Sequence, residues 1–461
     1  MLSTHSNTHV RCEGTMPTSC DCLLFADYIL CRAEHDALHT LTDGAIAVTN
    51  GVICALGAGT ELAPQWQARR DLYLGNALLL PGLINAHTHA SMTIFRGIAD
   101  DLPLMEWLNT HIFPLEQRLT KRFVHLGALL GCAEMIRTGT SAFQDMYLLE
   151  DEVCRAADIT GLRCLAGEVI FAFPTLAIPK PETALDLVRE QAARWKGHSR
   201  VRIAVMPHAV YTTNPDLLRA CMALAEELDL PLHMHLAESA AESASCLDLH
   251  GKRPIPYCRD LGLLGPRVSL AHVVDATEEE LDILAQSGAG VVHNPSSNMK
   301  LASGVAKVPA MLDRGIRLAL GTDGAASNNR LNMFTEMGRA ALLHKVAGSD
   351  PALCPAGAIF AAATIGGASA LGDARLGVLE VGRPADIIAL DLDAPNLQPL
   401  YAPVSHAVYA VTGMETRMNM VDGEILYLDG QFTRFNYPDL LAEIREIQKE
   451  VRSMHDAILR G

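Results

Sequence analysis

Eight apolar runs constrain this chain more than any other feature. Each ends in a polar residue, and longer helix-like stretches separate them. The first occupies residues 77–89 and closes on His87 and His89. The others are 141–145, 163–168, 201–208, 231–235, 268–272, 290–294 and 318–323. They close on Asp145, Glu168, His208, His235, His272, Asn294 and Asp323. Short continuous apolar runs bounded by polar punctuation read as strands buried on both faces, the state parallel sheets require. The stretches 181–195, 215–228 and 277–286 read as helices, with Glu278, Glu279 and Glu280 in a first turn where the helix dipole favours acids. Eight strand–helix units over residues 77–371 predict an α/β fold, a (β/α)8 TIM barrel.

The flanks have a different texture. Residues 20–76 hold short strand-like runs, among them 45–48 and 52–56 around Asn50-Gly51, a strong hairpin signal. Short runs return over 372–435, at 385–391, 406–411 and 424–427, with Asp422-Gly423 and Asp429-Gly430 as turns. The two flanks are expected to form one small β-sandwich into which the barrel is inserted. Residues 436–461 read as a C-terminal amphipathic helix. Residues 1–19 read as a disordered tail, polar and without the apolar core of a signal peptide, which makes Met16 an alternative start.

Composition removes several classes. The formal charge of −16 argues against nucleic acid as a partner, since phosphate binding needs a basic face. No apolar run approaches the roughly 20 residues of a membrane helix. The 12 cysteines are scattered and form no pair of C-x-x-C knuckles, so they read as reduced core thiols in a cytoplasmic protein.

Side chains two apart on an extended segment share a face, so His87 and His89 can hold one metal ion in a fork. Barrel active sites lie at the carboxyl ends of the strands, where His235 and Asp323 supply further ligands. His87, His89, His235 and Asp323 give three nitrogens and one oxygen, suited to one Zn2+ or Fe2+, and a metal brings the pKa of a bound water toward neutrality. His233 shares the face of His235 and competes with it; His235 is nearer the strand end and nearer Glu238. Glu238 can reach the same space and move protons to a substrate nitrogen.

Taken together, Pro81-Gly82-Leu83-Ile84-Asn85-Ala86-His87-Thr88-His89, His235-Leu236-Ala237-Glu238, Ala271-His272 and Gly321-Thr322-Asp323-Gly324 resemble the amidohydrolase superfamily. The segments 96–108, 113–116, 293–301 and 322–329 resemble more closely its branch of chlorohydrolases and deaminases, and there the 5′-methylthioadenosine/S-adenosylhomocysteine deaminases. The resemblance covers about residues 20–427. It implies hydrolytic replacement of the 6-amino group of an adenine nucleoside, the small-molecule partner, by water activated on the metal. Asp323 would take the water's proton and pass it to the leaving ammonia. Glu238 would protonate the ring nitrogen, and His272 would hold the water and the developing alkoxide. Glu116 would accept hydrogen bonds from the ribose hydroxyls, His208 would contact purine or ribose, and Trp107 would pack near the 5′ substituent. A homo-oligomer is expected.

One departure concerns substrate choice. Glu168 stands where relatives accepting S-adenosylhomocysteine carry an arginine for the amino-acid carboxylate, and no arginine follows before Arg189. This implies a preference for 5′-methylthioadenosine and adenosine. Guanine, cytosine or aminofutalosine deamination and triazine-type chloride hydrolysis remain alternatives within the branch. A metal-free interaction protein on the same scaffold is the alternative outside it; such proteins lose ligands, and here all four are present.

Overall fold

The computed structural model describes residues 17–32, 38–102 and 104–460. The expected tail therefore lies outside the described residues up to residue 16, as does the choice of start residue. Thr18 and Ser19, assigned to that tail by sequence, already belong to the first strand.

Strands from both chain ends pair into one nine-stranded sheet. Its amino-terminal members are β1 (Thr18–Arg32), β2 (Leu38–Thr49), β3 (Val52–Ala58), β4 (Trp66–Tyr73) and β5 (Ala77–Pro81). Asn50 and Gly51 form the β2–β3 turn with φ of 50° and 78°, the left-handed values such a two-residue hairpin needs. The carboxyl-terminal members, β15 (Ile387–Asp391), β16 (Thr416–Val421), β17 (Glu424–Leu428) and β18 (Gln431–Phe432), join through β15 beside β5. Ile29, Ile46, Leu79, Ile387 and Met418 are fully buried in the core of this sheet. The hydrogen bonding gives one continuous sheet where two facing layers were expected.

Residues 406–411 correct the sequence reading. They were expected to be a strand, but Pro403–Tyr409 is a helix with proline at its start and Ala407 and Val408 buried. A short apolar run carries no decisive period, and Pro403 at the first helical position decides it.

Between the flanks lies a parallel α/β arrangement of the TIM-barrel type, laid out as two arcs. One holds β6 (Leu83–Thr88), β7 (Thr140–Tyr147), β8 (Arg163–Ile170), β9 (Val201–Ile203) and β10 (Met206–Pro207). The other holds β11 (Leu232–Leu236), β12 (Val268–His272), β13 (Gly290–His293) and β14 (Leu318–Leu320). Every residue of β7 and β8 is buried, the polar Gln144, Asp145, Arg163 and Glu168 included, as strands covered on both faces are. Isolated bonds, not a ladder, link the arcs. On one side His233 N–H donates to Val205 O (3.0 Å) and His235 N–H to His208 O (2.9 Å). On the other, Asp323 N–H donates to His87 O (2.9 Å), and the Asn85 amide exchanges bonds with the Thr322 hydroxyl and amide (2.7 and 2.9 Å).

The helices carry the signals that start and stop them. Asn214 caps Pro215–Glu227, with proline in the first turn. Thr277 and Glu280 form a reciprocal capping box on Glu278–Ser287, which ends at Gly288 with φ of 71°. The helix Tyr437–Leu459 packs on the helix Lys121–Arg137 and against the segment around residues 104–116. No helix among the described residues is long and apolar enough to cross a membrane.

Candidate active site

Five of the residues singled out at strand ends, His87, His89, His235, His272 and Asp323, converge on one point. The ring centroid of His87 lies 4.9 Å from that of His89 and 4.9 Å from that of His235. Asp323 Oδ1 lies 3.4 Å from His87 Nε2 and 3.1 Å from His89 Nε2. His272 completes the ring of imidazoles, its centroid 5.5 Å from that of His235. Ligand atoms of His87, His89 and Asp323 lie within 4.8 Å of one another, as do those of His87, His235 and His272.

Outer contacts aim these groups inward. His235 Nδ1 donates to His208 O (2.9 Å), and His89 Nδ1 bonds the carbonyl of Met146. His272 Nδ1 meets Asn298 Oδ1 at 2.8 Å. Asp323 accepts from Ser297 Oγ (2.6 Å) and Ser327 Oγ (2.9 Å) through Oδ2, and from Gly324 N–H (2.8 Å) through Oδ1. Each imidazole thus spends one nitrogen on the scaffold and turns the other to the centre. Ala237, His272 and Asp323 adopt left-handed φ of 51°, 73° and 59°. Such strain in non-glycine residues persists only where the surroundings impose it, and it clusters at functional sites. Gly321 permits the close passage of Asp323 beside His87: a Cβ there would lie 2.6 Å from Asn294 Oδ1 and 2.8 Å from the His87 backbone.

The donor set fits a divalent cation. His87 Nε2 is buried without a hydrogen-bond partner, a cost a metal would remove. Burial holds His87 neutral, down to about 4, and keeps His235 well below the usual imidazole range, and the neutral ring is the ligand form. At Asp323 burial favours the neutral acid, but the imidazoles of His87 and His89 beside it hold the carboxyl well below its ordinary range. At His89 burial opposes charge, while Asp323 and Asp145 raise it to about 9; a cation replaces that proton.

His233, the competing ligand by sequence, is a support. Its Nε2 meets His87 Nδ1 at 2.9 Å and its Nδ1 meets Ser269 Oγ at 2.8 Å. The period-two reading put it on the right face but could not tell ligand from supporter.

Beside the convergence point opens a cleft of about 680 Å³, lined by His89, His208, His235, Glu238, His272 and Asp323 at its polar end and also by Trp107 and Glu116. Glu238 Oε2 lies 4.0 Å from His272 Nε2, and burial raises the Glu238 carboxyl. Glu242 holds the turn that carries it, accepting from Ala237 N–H (3.1 Å) and Glu238 N–H (2.8 Å). His208 bonds Thr212 Oγ1 at 2.8 Å and stacks on Phe171; burial lowers it to about 3, a neutral ring. Trp107 ends the short helix Leu104–Trp107, the π-helical turn Leu108–Ile112 follows, and Glu116 ends the helix Phe113–Glu116. Burial pushes the Glu116 carboxyl up to about 7.

Glu168 is not where the sequence reading put it. It is buried and outside the cleft lining. Its carboxylate accepts from Leu149 N–H (2.8 Å), Glu150 N–H (2.9 Å) and Gln191 Nε2 (3.4 Å), capping the helix Glu150–Thr160. The expected like-charge repulsion toward a substrate carboxylate therefore has no geometric basis. The strand runs on to Ile170, so it is Val169 and Phe171 that face the cleft. No lysine or arginine lines the cleft among the described residues.

Some site residues escaped the sequence reading. Ser297 and Asn298 lay within the 293–301 segment already marked. Tyr147, Glu242 and Ser327 carried no spacing signal; Tyr147 was missed because the run was ended at Asp145.

Comparison with known proteins agrees with this geometry. Residues 78–426 match the amidohydrolase family. A 5-methylthioadenosine/S-adenosylhomocysteine deaminase of Nitratidesulfovibrio vulgaris is 59% identical over 431 residues, covering 94% of this chain and 97% of its own. A 5′-deoxyadenosine deaminase of Methanothermobacter thermautotrophicus is 46% identical over 77% of this chain and 83% of its own. Among solved structures, an adenosine deaminase of Xanthomonas campestris with bound zinc superposes with a TM-score of 0.92 at 36% identity, over 95% of this chain and 100% of that one.

Proposed function

The chain belongs to the amidohydrolase family, and from that premise we propose that it is a metal-dependent hydrolytic deaminase of adenine nucleosides, exchanging the 6-amino group for oxygen with release of ammonia. The observation that carries this reading is the pairing of Glu238 with His272, 4.0 Å apart, at the polar end of a cleft that also holds Asp323 and Glu116. A divalent cation, zinc in our reading, held by His87, His89, His235 and Asp323, supplies the Lewis acidity that brings a water's pKa toward neutrality.

The chain's own groups do the rest. Asp323 is anionic and takes the proton the attacking water loses; its low basicity favours passing that proton on to the departing amine. Glu238, whose carboxyl burial raises, is the proton donor to the ring nitrogen beside the attacked carbon. His272, with Nδ1 held by Asn298, turns Nε2 to the oxygen that gains charge. Glu116 receives the ribose hydroxyls, His208 meets the purine or ribose, and Trp107 meets the 5′ substituent. A departing amine needs a proton where chloride needs none, and the proton that Asp323 returns therefore favours deamination over chlorohydrolysis.

The outer cleft is apolar, with Leu148, Phe171 and Leu301 beside Trp107, and among the described residues it holds no lysine or arginine for an amino-acid carboxylate. This replaces Glu168 as the ground for expecting 5′-methylthioadenosine and adenosine to exceed S-adenosylhomocysteine in kcat/KM. An ammonia-release screen of zinc-loaded protein over these nucleosides, guanine and aminofutalosine tests it. Release from none of the adenine nucleosides sinks the function; a higher kcat/KM for S-adenosylhomocysteine sinks the preference.

The reading also takes the two arcs as one closed barrel over residues 77–371, β9 and β10 counting as one of its eight strands, with the continuous sheet of 20–76 and 372–435 as the flanking domain and 436–461 as the terminal helix. Hydrogen exchange that is equally slow at Asp323 and His235, whose amides link the arcs, supports closure; rapid exchange at either opposes it. A homo-oligomer in the cytoplasm completes the reading, and a monomeric mass by sedimentation would remove the first part.

A further inference from the structure

Tyr147 is the last residue of β7 and lines the cleft together with Glu116. Its hydroxyl is buried and completes no hydrogen bond. Buried hydroxyls without partners are uncommon, and one that faces a ligand cleft is most simply completed by the ligand. The neighbouring carboxyl is Glu116, which burial raises and the Tyr147 hydroxyl, facing it, holds down.

The turn that presents Tyr147 is fixed from behind. Leu148 lines the cleft, Leu149 takes a left-handed φ of 58°, and the amides of Leu149 and Glu150 are clamped by the Glu168 carboxylate. An apolar residue in that conformation needs such a clamp. The backbone after Tyr147 is therefore held by Glu168 independently of any substrate.

A vicinal diol offers two O–H donors and oxygens that accept. A carboxylate can only accept, so Glu116 alone leaves the sugar oxygens without a donor. A phenol at its side supplies one. We propose that Tyr147 is a substrate-positioning residue whose hydroxyl and the Glu116 carboxylate form one unit that receives both ribose hydroxyls. This rests on the deaminase reading above and adds a residue to it. In the free enzyme the hydroxyl faces Glu116 without a completed hydrogen bond; with nucleoside bound it donates to a sugar oxygen.

The test compares zinc-loaded wild type and Y147F on adenosine, 2′-deoxyadenosine and 3′-deoxyadenosine by ammonia release. The expected result is an adenosine KM about five- to thirty-fold higher in Y147F, the range for losing one hydrogen bond at a buried acceptor. Its kcat should stay within about two-fold, and at least one deoxynucleoside should shift by about three-fold or less. Removing an unpaired hydroxyl should leave the melting temperature unchanged. A second variant, E168Q, retains the phenol but loosens its turn, and should raise the adenosine KM in the same direction by less. An equal KM rise for all three nucleosides in Y147F, a fall in kcat alone, or no change overturns the proposal and leaves the deaminase reading standing. Wild-type protein that releases ammonia from none of the three overturns that reading and this one together.

Discussion

The two ends of the cleft are built differently. At the polar end the imidazoles and Asp323 are tethered on their far sides: His87 by His233, His89 by the Met146 carbonyl, His235 by the His208 carbonyl, His272 by Asn298, Asp323 by Ser297, Ser327 and Gly324. These groups stand at the ends of buried parallel strands. The outer wall instead rests on short helical pieces over residues 104–116, joined by a π-helical turn. A reaction centre needs fixed angles, which strand ends provide. A wall that fits a substituent needs shape, which an inserted segment can vary without disturbing the strands.

If that division holds, substitutions at the two ends should fail in different ways. The largest effect is expected for D323N, which removes a ligand and a proton acceptor together: kcat/KM should fall at least about 10³-fold and bound metal should drop, both measured on the purified protein. Retained metal with near-normal turnover would break the assignment. H233A leaves all four ligands in place but removes the support of His87, and should weaken metal affinity about 10- to 100-fold in a chelator competition. W107A should leave metal content untouched and raise the KM for 5′-methylthioadenosine about 5- to 30-fold with kcat nearly preserved. A kcat loss there would dissolve the boundary between the two ends. The smallest effect concerns the turn behind the wall. Burial raises the Glu168 carboxyl to about 7 from an ordinary 4.5. An acid with a raised folded-state pKa takes up a proton on folding, so its contribution is fully present below about 4.5 and lost as pH rises through 7. The melting temperature of wild type should therefore decline between those values, and E168Q should flatten the decline even while lowering its absolute level. An identical slope in both proteins would assign the pH dependence elsewhere.

The polar end was legible in the sequence because strand ends in an α/β fold announce themselves. Apolar runs terminate in the residues proposed to do the chemistry, and His87, His89, His235, His272 and Asp323 all stood at such ends. Glu238 followed from its distance to His235. Groups that act by contact across the chain had no such signal. The tether from Glu242 and the Tyr147–Glu116 encounter depend on which turn folds over which. Glu168 shows the cost: read as a strand end facing substrate, it lies two residues short of the true end, on the helix-capping side. Residues 406–411 failed for a simpler reason, since six mixed residues fit either period and the deciding Pro403 lay just outside them.

The strand β5 runs through Gly82 directly into β6, which leads to His87 and His89, the proposed ligands, and in its own sheet it lies between β1 and β15. As the polypeptide leaves the ribosome, β1 is available to β5 at once, but the opposite edge stays open until residues 387–391 emerge, some 300 residues later. Asp323 is also synthesised long after His87. The early segment must therefore wait, with an exposed edge and an incomplete ligand set, for the last part of the chain to close both. Translation stalled anywhere before residue 387 would leave a product that can neither seal that edge nor reach its mature fold, and such chains should appear in the aggregated fraction.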